Sequence, residues 1–94
     1  MVGDLYKLKL DCLDNPKGTI GIVFYDYSDG QEIIFPNGNY DGFDKIDDIP
    51  VFLEYVGHME EYSTYQFKNV MKVVEDFENK FWDFDKINNF STKK

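Results

Sequence analysis

Residues 5–13 alternate along an extended chain. Tyr6, Leu8, Leu10 and Cys12 fall on one side, and Lys7, Lys9 and Asp11 on the other. That is the pattern of a half-buried strand. Asn15, Pro16, Lys17 and Gly18 then supply a turn, because Pro and Gly set the backbone angles a reversal needs. Residues 19–27 read as a second strand, with Ile20, Ile22 and Phe24 on one face and Val23, Tyr25 and Tyr27 on the other. Apolar content on both faces predicts a central or strongly curved strand, and Gly21 within it predicts a bulge or a close approach of another backbone. Ser28, Asp29 and Gly30 predict a hairpin into a third strand at 31–35. A second turn at 36–39 leads to a short fourth strand at 39–43.

The pattern then changes period. Asp47 or Asp48 can cap a helix whose early Pro50 is tolerated in the first turn. Phe52, Tyr55, Val56 and Met59 recur at helical spacing, and Gly57 marks its end. Ser63 and Gln66 have the spacing of a capping box. They introduce a longer helix over 67–81, with Phe67, Val70, Met71, Val74, Phe77 and Phe81 on one stripe. Lys68, Lys72, Asp76 and Lys80 lie opposite, and Lys72, Asp76 and Lys80 are spaced for i,i+4 pairs. Trp82, Phe84 and Ile87 carry apolar content past the stripe. Phe81, Trp82 and Phe84 would serve either the core or a homodimer seam.

Strands first and helices after predict an α+β fold. An N-terminal antiparallel sheet of about four strands, with a small barrel as its curled alternative, is followed by two helices, the longer packed on the sheet. The 94 residues suit one domain over 1–87, with 88–94 as a polar flexible tail.

Charge adds what periodicity cannot. The chain has 18 acidic residues against 10 basic ones, for a net charge of −8, and every basic residue is Lys. Residues 1–25 balance, residues 62–94 are slightly positive, and residues 26–61 hold ten acids against Lys45 alone. A direct basic face for nucleic acid is excluded. One Cys and one His exclude a disulfide scaffold and a zinc site. No apolar run approaches the ~20 residues that span a bilayer. The start alternates Lys with Leu and holds no apolar segment of a signal peptide, so a cytoplasmic protein is expected.

Several spacings bear on chemistry. Asn37, Asn39, Asp41, Gly42 and Asp48 approach the pattern of a twelve-residue calcium loop, which places oxygens at positions one, three, five and twelve and Gly at six. Asn at position one, a short Asp at twelve and Asp44 at the usually apolar eighth position depart from it. The alternative is a hairpin turn that uses the same residues for their backbone tolerance. Cys12 and His58 are the one available nucleophile–base pair. Cys12 on an apolar strand face reads equally as a small buried hydrophobe, and no further His or oxyanion motif supports catalysis. Paired carboxylates such as Asp47 and Asp48 need a cleft to act on a glycoside. No Gly-rich phosphate cradle precedes a helix. No cofactor and no enzymatic activity are expected.

Seven Tyr, nine Phe and one Trp remain to be placed. Tyr25, Tyr27, Tyr40, Phe43, Tyr55, Tyr62 and Tyr65 fall in or near the acidic stretch. A surface mixing carboxylates with Tyr suits a Lys- or Arg-rich partner, through ion pairs and cation–π contact. The residues that would carry such contact are Asp29, Glu32, Tyr40, Asp41, Asp44, Asp47 and Asp48. Their acids would stand in for phosphates, and Tyr40 would add apolar contact.

Residues 18–43, GTIGIVFYDYSDGQEIIFPNGNYDGF, resemble the strand-turn-strand core of small SH3-like barrels. In size, acidity, lack of Arg and richness in Asn, Lys, Tyr and Phe, the whole chain resembles small phage or prophage proteins of low-GC bacteria. Some of these block host defences or nucleic-acid enzymes, as anti-CRISPR proteins and DNA mimics do. The resemblance implies a non-enzymatic inhibitor whose acidic face, residues 26–61, docks on the basic, nucleic-acid-binding site of a host protein. The alternative is a small calcium- or metabolite-binding domain built on residues 37–48.

Overall fold

Alternation along the first half of the chain becomes β1 (Asp4–Leu8), β2 (Ile20–Tyr27), β3 (Gly30–Ile34) and β4 (Tyr40–Asp44). The structure, a computed structural model, describes residues 1–92. A fifth strand, β5 (Leu53–His58), returns beside β1, so the antiparallel sheet runs β4-β3-β2-β1-β5. β4 and β5 lie at opposite edges, and the sheet stays open; the barrel alternative is not realised. One helical turn, α1 (Ile49–Phe52), precedes β5, and two nine-residue helices follow it, α2 (Val70–Glu78) and α3 (Phe84–Thr92). The class is α+β, a sheet followed by C-terminal helices.

Both faces of the sheet are buried. Leu5, Ile20, Ile22, Phe24 and Ile34 meet Val73 of α2, Ile87 of α3 and the intervening Trp82 on one face. On the other, Leu8, Val23, Ile33, Phe35, Phe43 and Leu53 are covered by Ile49 and Phe52 of the α1 turn and by Cys12 and Leu13 of the β1–β2 loop. This second layer explains why β2 is apolar on both sides. The tip of that loop has Leu13 and Asp14 at positive φ. The Leu13 carbonyl accepts amide N–H groups from Asn15 (3.0 Å), Asn37 (3.0 Å) and Asn39 (2.7 Å). Three Asn side chains thereby fasten the β1–β2 loop to the β3–β4 turn.

Several expectations are corrected. The helix expected beyond Asp48 is only one turn long, and its later residues form β5. The spacing of Phe52, Tyr55, Val56 and Met59 suits a helix, but residues 53–58 are aromatic, β-branched and Gly-containing. They gain backbone partners along the second edge of β1, through register Leu8↔Leu53 to Asp4↔His58. The long helix begins at Val70 rather than beside Phe67. Asn69 caps it, its side chain accepting from the Lys72 N–H at 2.9 Å. Ser63 is spent elsewhere, donating its hydroxyl to the Glu60 carbonyl.

Helix α2 is also rotated from the expected face. Val73 points into the core, while Val70, Met71 and Val74 are 47%, 83% and 42% exposed. Asp76, expected on the outer side, turns inward and accepts the Tyr65 hydroxyl at 2.7 Å. Apolar residues occupy both sides of this helix, and the tertiary partner decided between them. Lastly, residues 88–92, expected in a flexible tail, belong to α3, which Asp83 caps through the Lys86 N–H at 3.1 Å. Residues 93–94 of that tail lie outside the described residues. Trp82 is buried, whereas Phe81 is partly exposed and packs edge-on against Tyr62.

Candidate partner-binding site

The acidic stretch does not fold into one face. It begins at the β2–β3 hairpin, runs down the β4 edge, crosses under the sheet through α1 and emerges at the opposite edge as β5. Asp29, Glu32, Asp41 and Asp44 therefore belong to the β3–β4 side, while Glu54, Glu60 and Glu61 belong to the β5 side. Some of these charges are already paired. Asp26 holds Lys45 at 3.0 Å, and Glu61 holds Lys86 at 3.0 Å.

The β4 edge uses further carboxylates for its own backbone. Phe35 N–H donates to the Asn39 carbonyl and Lys45 N–H to the Asp29 carbonyl, both at 2.9 Å. Odd-numbered residues along β4 thus bond inward to β3, and the amides of Tyr40, Gly42 and Asp44 turn to the free edge. The Gly42 N–H is taken by Asp41 Oδ1 at 2.8 Å, and the Asp44 N–H by Asp48 Oδ2 at 2.9 Å. Asp44 Oδ1 in turn accepts from the Ile46 and Asp47 amides, each at 2.8 Å. Asp41, Asp44 and Asp48 are therefore edge and turn residues that occupy strand-pairing groups. Asp29 and Asp47 are exposed, with no partner for their carboxylates among the described residues.

The same placement answers the calcium pattern. Asn37 Oδ1 accepts from Asn15 and from the Asn39 backbone, and the Asn37 and Asn39 amides face Leu13. Asp41 and Asp48 face the β4 edge. Among the described residues no group of three or more His, Cys, Asp or Glu side chains could hold a metal ion. The nucleophile–base pair is not formed either. His58 Nδ1 lies 2.8 Å from Asp4 and Nε2 lies 3.3 Å from Glu60. Cys12 packs under the loop, where burial and the charge of Asp41 hold its thiol above the usual range.

Glu32 and Tyr40 remain, and the structure brings them together. A bulge in β2 makes Phe24 an extra residue, so Val23 pairs with Ile33 while Tyr25 pairs with Glu32. Phe24 and Tyr25 then share the helix-side face. Glu32 opposes Gly42, and Ile34 opposes Tyr40, on the same face. Phe67, from the segment ahead of α2, closes the space with its ring 4.8 Å from Tyr25 and 6.0 Å from Phe24. Tyr40 meets Phe24 edge-on at 5.9 Å. The result is a cavity of about 160 Å³. Buried Phe24 and Val73 form its floor, exposed Tyr25 and Val70 its rim, and Glu32 is its one ionisable carboxylate.

Tyr27 braces that carboxylate. Its ring lies over Gly30, and its hydroxyl stands beside Glu32 above Gly42. A Cβ at Gly42 would fall 2.7 Å from Glu32 Oε2 and 2.8 Å from the Tyr27 hydroxyl, so the absent side chain makes room for the pair. Burial and the neighbouring Asp41 push the Glu32 carboxyl above its ordinary value, against the lowering effect of the Tyr27 bond. No Lys, His or amino group lies within 4 Å of it among the described residues. Sequence reasoning selected Glu32 and Tyr40, but it omitted Tyr25, Phe67 and Val70 as site residues. The bulge that turns Tyr25 to this face leaves no mark in the alternation.

No helix among the described residues is long and apolar enough to cross a membrane. No family model, no curated protein and no solved structure matches the chain.

Proposed function

We propose that this is a non-enzymatic binding protein that docks the β2–β4 end of its sheet on a basic surface of a partner protein. One observation carries the reading. Glu32 is held half-buried among aromatic rings with no cation beside it, in a chain that pairs or caps several of its other carboxylates. Such a carboxylate adds nothing to stability, so an external counter-charge is the simplest account of its placement. Asp29 and Asp41 widen the negative potential around it. Exposed Val70, Met71 and Val74 supply adjacent apolar area of the kind buried in interface cores. The compositional resemblance to phage anti-defence proteins supports a nucleic-acid enzyme or defence effector as the partner.

The test is retention of lysate proteins on the immobilised chain at low and at high salt, with two triple variants alongside. Reversing Asp29, Glu32 and Asp41 to Lys should abolish retention, and salt should weaken it steeply. Reversing Glu54, Glu60 and Glu61 at the far edge, with the same change in net charge, should leave most of it. Equal losses from both triples, or retention indifferent to salt, refute the reading.

A further inference from the structure

The cavity between β2, β3, β4 and α2 is small, ring-lined and asymmetric in charge, and these properties select its occupant. Anions are excluded by Glu32. A neutral apolar side chain would strip water from that carboxylate and leave it uncompensated. A cation satisfies both the carboxylate and the rings, whose faces carry negative potential. Among cations, a compact ammonium keeps its hydration tightly, while a guanidinium is planar, weakly hydrated and able to stack. Size agrees, since a cavity of about 160 Å³ has room for the planar end of one side chain.

We propose that this cavity receives the guanidinium of one arginine presented by the partner, with Glu32 as its counter-ion and Tyr25, Tyr40 and Phe67 as the rings around it. The inference rests on the docking reading above and adds the identity of the anchoring side chain. The Tyr27 hydroxyl stands beside Glu32 Oε2, and the other carboxylate oxygen remains for the incoming N–H groups. The chain itself contains no Arg, so no internal side chain competes in kind. Val70 at the rim and Met71 beyond it give the rest of the partner an apolar surface to lie on.

The experiment needs no identified partner. The full chain, labelled for NMR, is titrated at millimolar concentrations with N-acetyl-arginine amide, with its uncharged isostere N-acetyl-citrulline amide, and with the lysine and trimethyllysine amides. Saturable shifts are expected in the Gly42 amide and in the Tyr25, Tyr40 and Phe67 ring signals. Arginine should act most strongly and citrulline not at all. Tyr40→Leu should weaken the arginine titration roughly 2- to 30-fold, the range of a cation–π contact. Glu32→Gln should remove it. Gly42→Ala, whose new methyl presses only on the mobile ends of Glu32 and Tyr27, should weaken it while leaving the rest of the spectrum folded.

Equal shifts with citrulline, a stronger response to either lysine probe, or an arginine response unchanged in Glu32→Gln overturns the inference. Absence of any saturable shift also overturns it. Retention of lysate proteins that still depends on salt and on Asp29, Glu32 and Asp41 would then leave the docking reading standing on surface charge alone.

Discussion

Replacing Asp76 by Asn tests how the C-terminal helices are tied to the sheet. Asp76 is 13% exposed and accepts two short bonds, from the Tyr65 hydroxyl and from Lys72 Nζ, each at 2.7 Å. The first joins α2 to the segment that follows β5, and the second spans one turn of the helix. Asn keeps the shape but loses the charge, and it can accept at only one of its two terminal atoms. The bond from the Tyr65 hydroxyl to this charged, largely buried acceptor contributes roughly 1.5–3 kcal/mol, while the Lys72 ammonium stands in solvent and adds little. With the Tyr65 bond weakened but not abolished, the expected loss is about 1–2 kcal/mol, or about 4–16 °C in Tm for a domain of this size. The effect has a pH signature. Burial raises the Asp76 pKa, but the bonds from Lys72 and Tyr65 outweigh it and hold the carboxyl below its ordinary value. A depressed carboxylate contributes stability that is fully present above the unfolded value, about 3.9, and is lost as pH falls through the folded one. Thermal melts of both proteins at pH 7 should therefore differ widely, and the gap should close below pH ~4. A difference under about 3 °C at pH 7, or one that persists undiminished at low pH, would refute the reasoning.

Glu32→Gln is expected to act with the opposite sign. Its carboxyl is raised in the folded chain, so the ionised form weakens the fold as pH rises through the folded value; the variant should melt above the parent at pH 7, and the advantage should vanish at pH 4. Asn15→Ala removes a buried amide that bonds the Leu13 carbonyl and Asn37 Oδ1 (3.1 Å), and it should cost about 1–3 kcal/mol in urea with an unchanged m-value. Gly57→Ala places a Cβ 2.4 Å from Phe90 Cε2, at a position whose φ is +157°. It should unseat α3, read as faster amide exchange over residues 84–90 while the β2–β3 amides stay protected.

How much of this was legible in the sequence depends on whether a local signal had competition. The alternation of residues 5–8 and 20–27 and the Gly-containing turns locate four strands, because each pattern agrees with its turn chemistry. β5 was hidden, since Phe52, Tyr55 and Met59 fit a helical spacing as well as a strand. The free edge of β1, a tertiary fact, decided between them. For α2, Val70, Met71, Val73 and Val74 form a continuous band, so periodicity could not say which side faces the sheet. Val73 fits the core, and Asp76 found a partner in Tyr65. The end of the chain was underestimated because Asn88 and Asn89 dominate its composition. Ile87 and Phe90, three apart, were enough to seat a helix. Glu32 and Tyr40 were selected on charge and residue type alone. Their meeting with Tyr25 and Phe67 required a bulge at Phe24 and a loop crossing from beyond β5.

The acidic excess, read as one field in the sequence, resolves into different uses in the fold. Asp41, Asp44 and Asp48 occupy outward amides or turn amides, and through them the β4 edge offers fewer free groups to another strand. Asp26, Glu61 and Asp76 hold lysines. These carboxylates would be needed whatever the protein binds, so net charge overstates the part of the surface that can act as a phosphate mimic. Glu32 differs in kind, because it is ringed by aromatics, raised in pKa and supported by Tyr27 over a glycine that leaves it space. A field made of many exposed acids would give long-range attraction with little discrimination. On the docking proposal, a half-buried carboxylate in a ring-lined cavity would discriminate by shape and hydration, because a cation of fitting size would offset its partial loss of water.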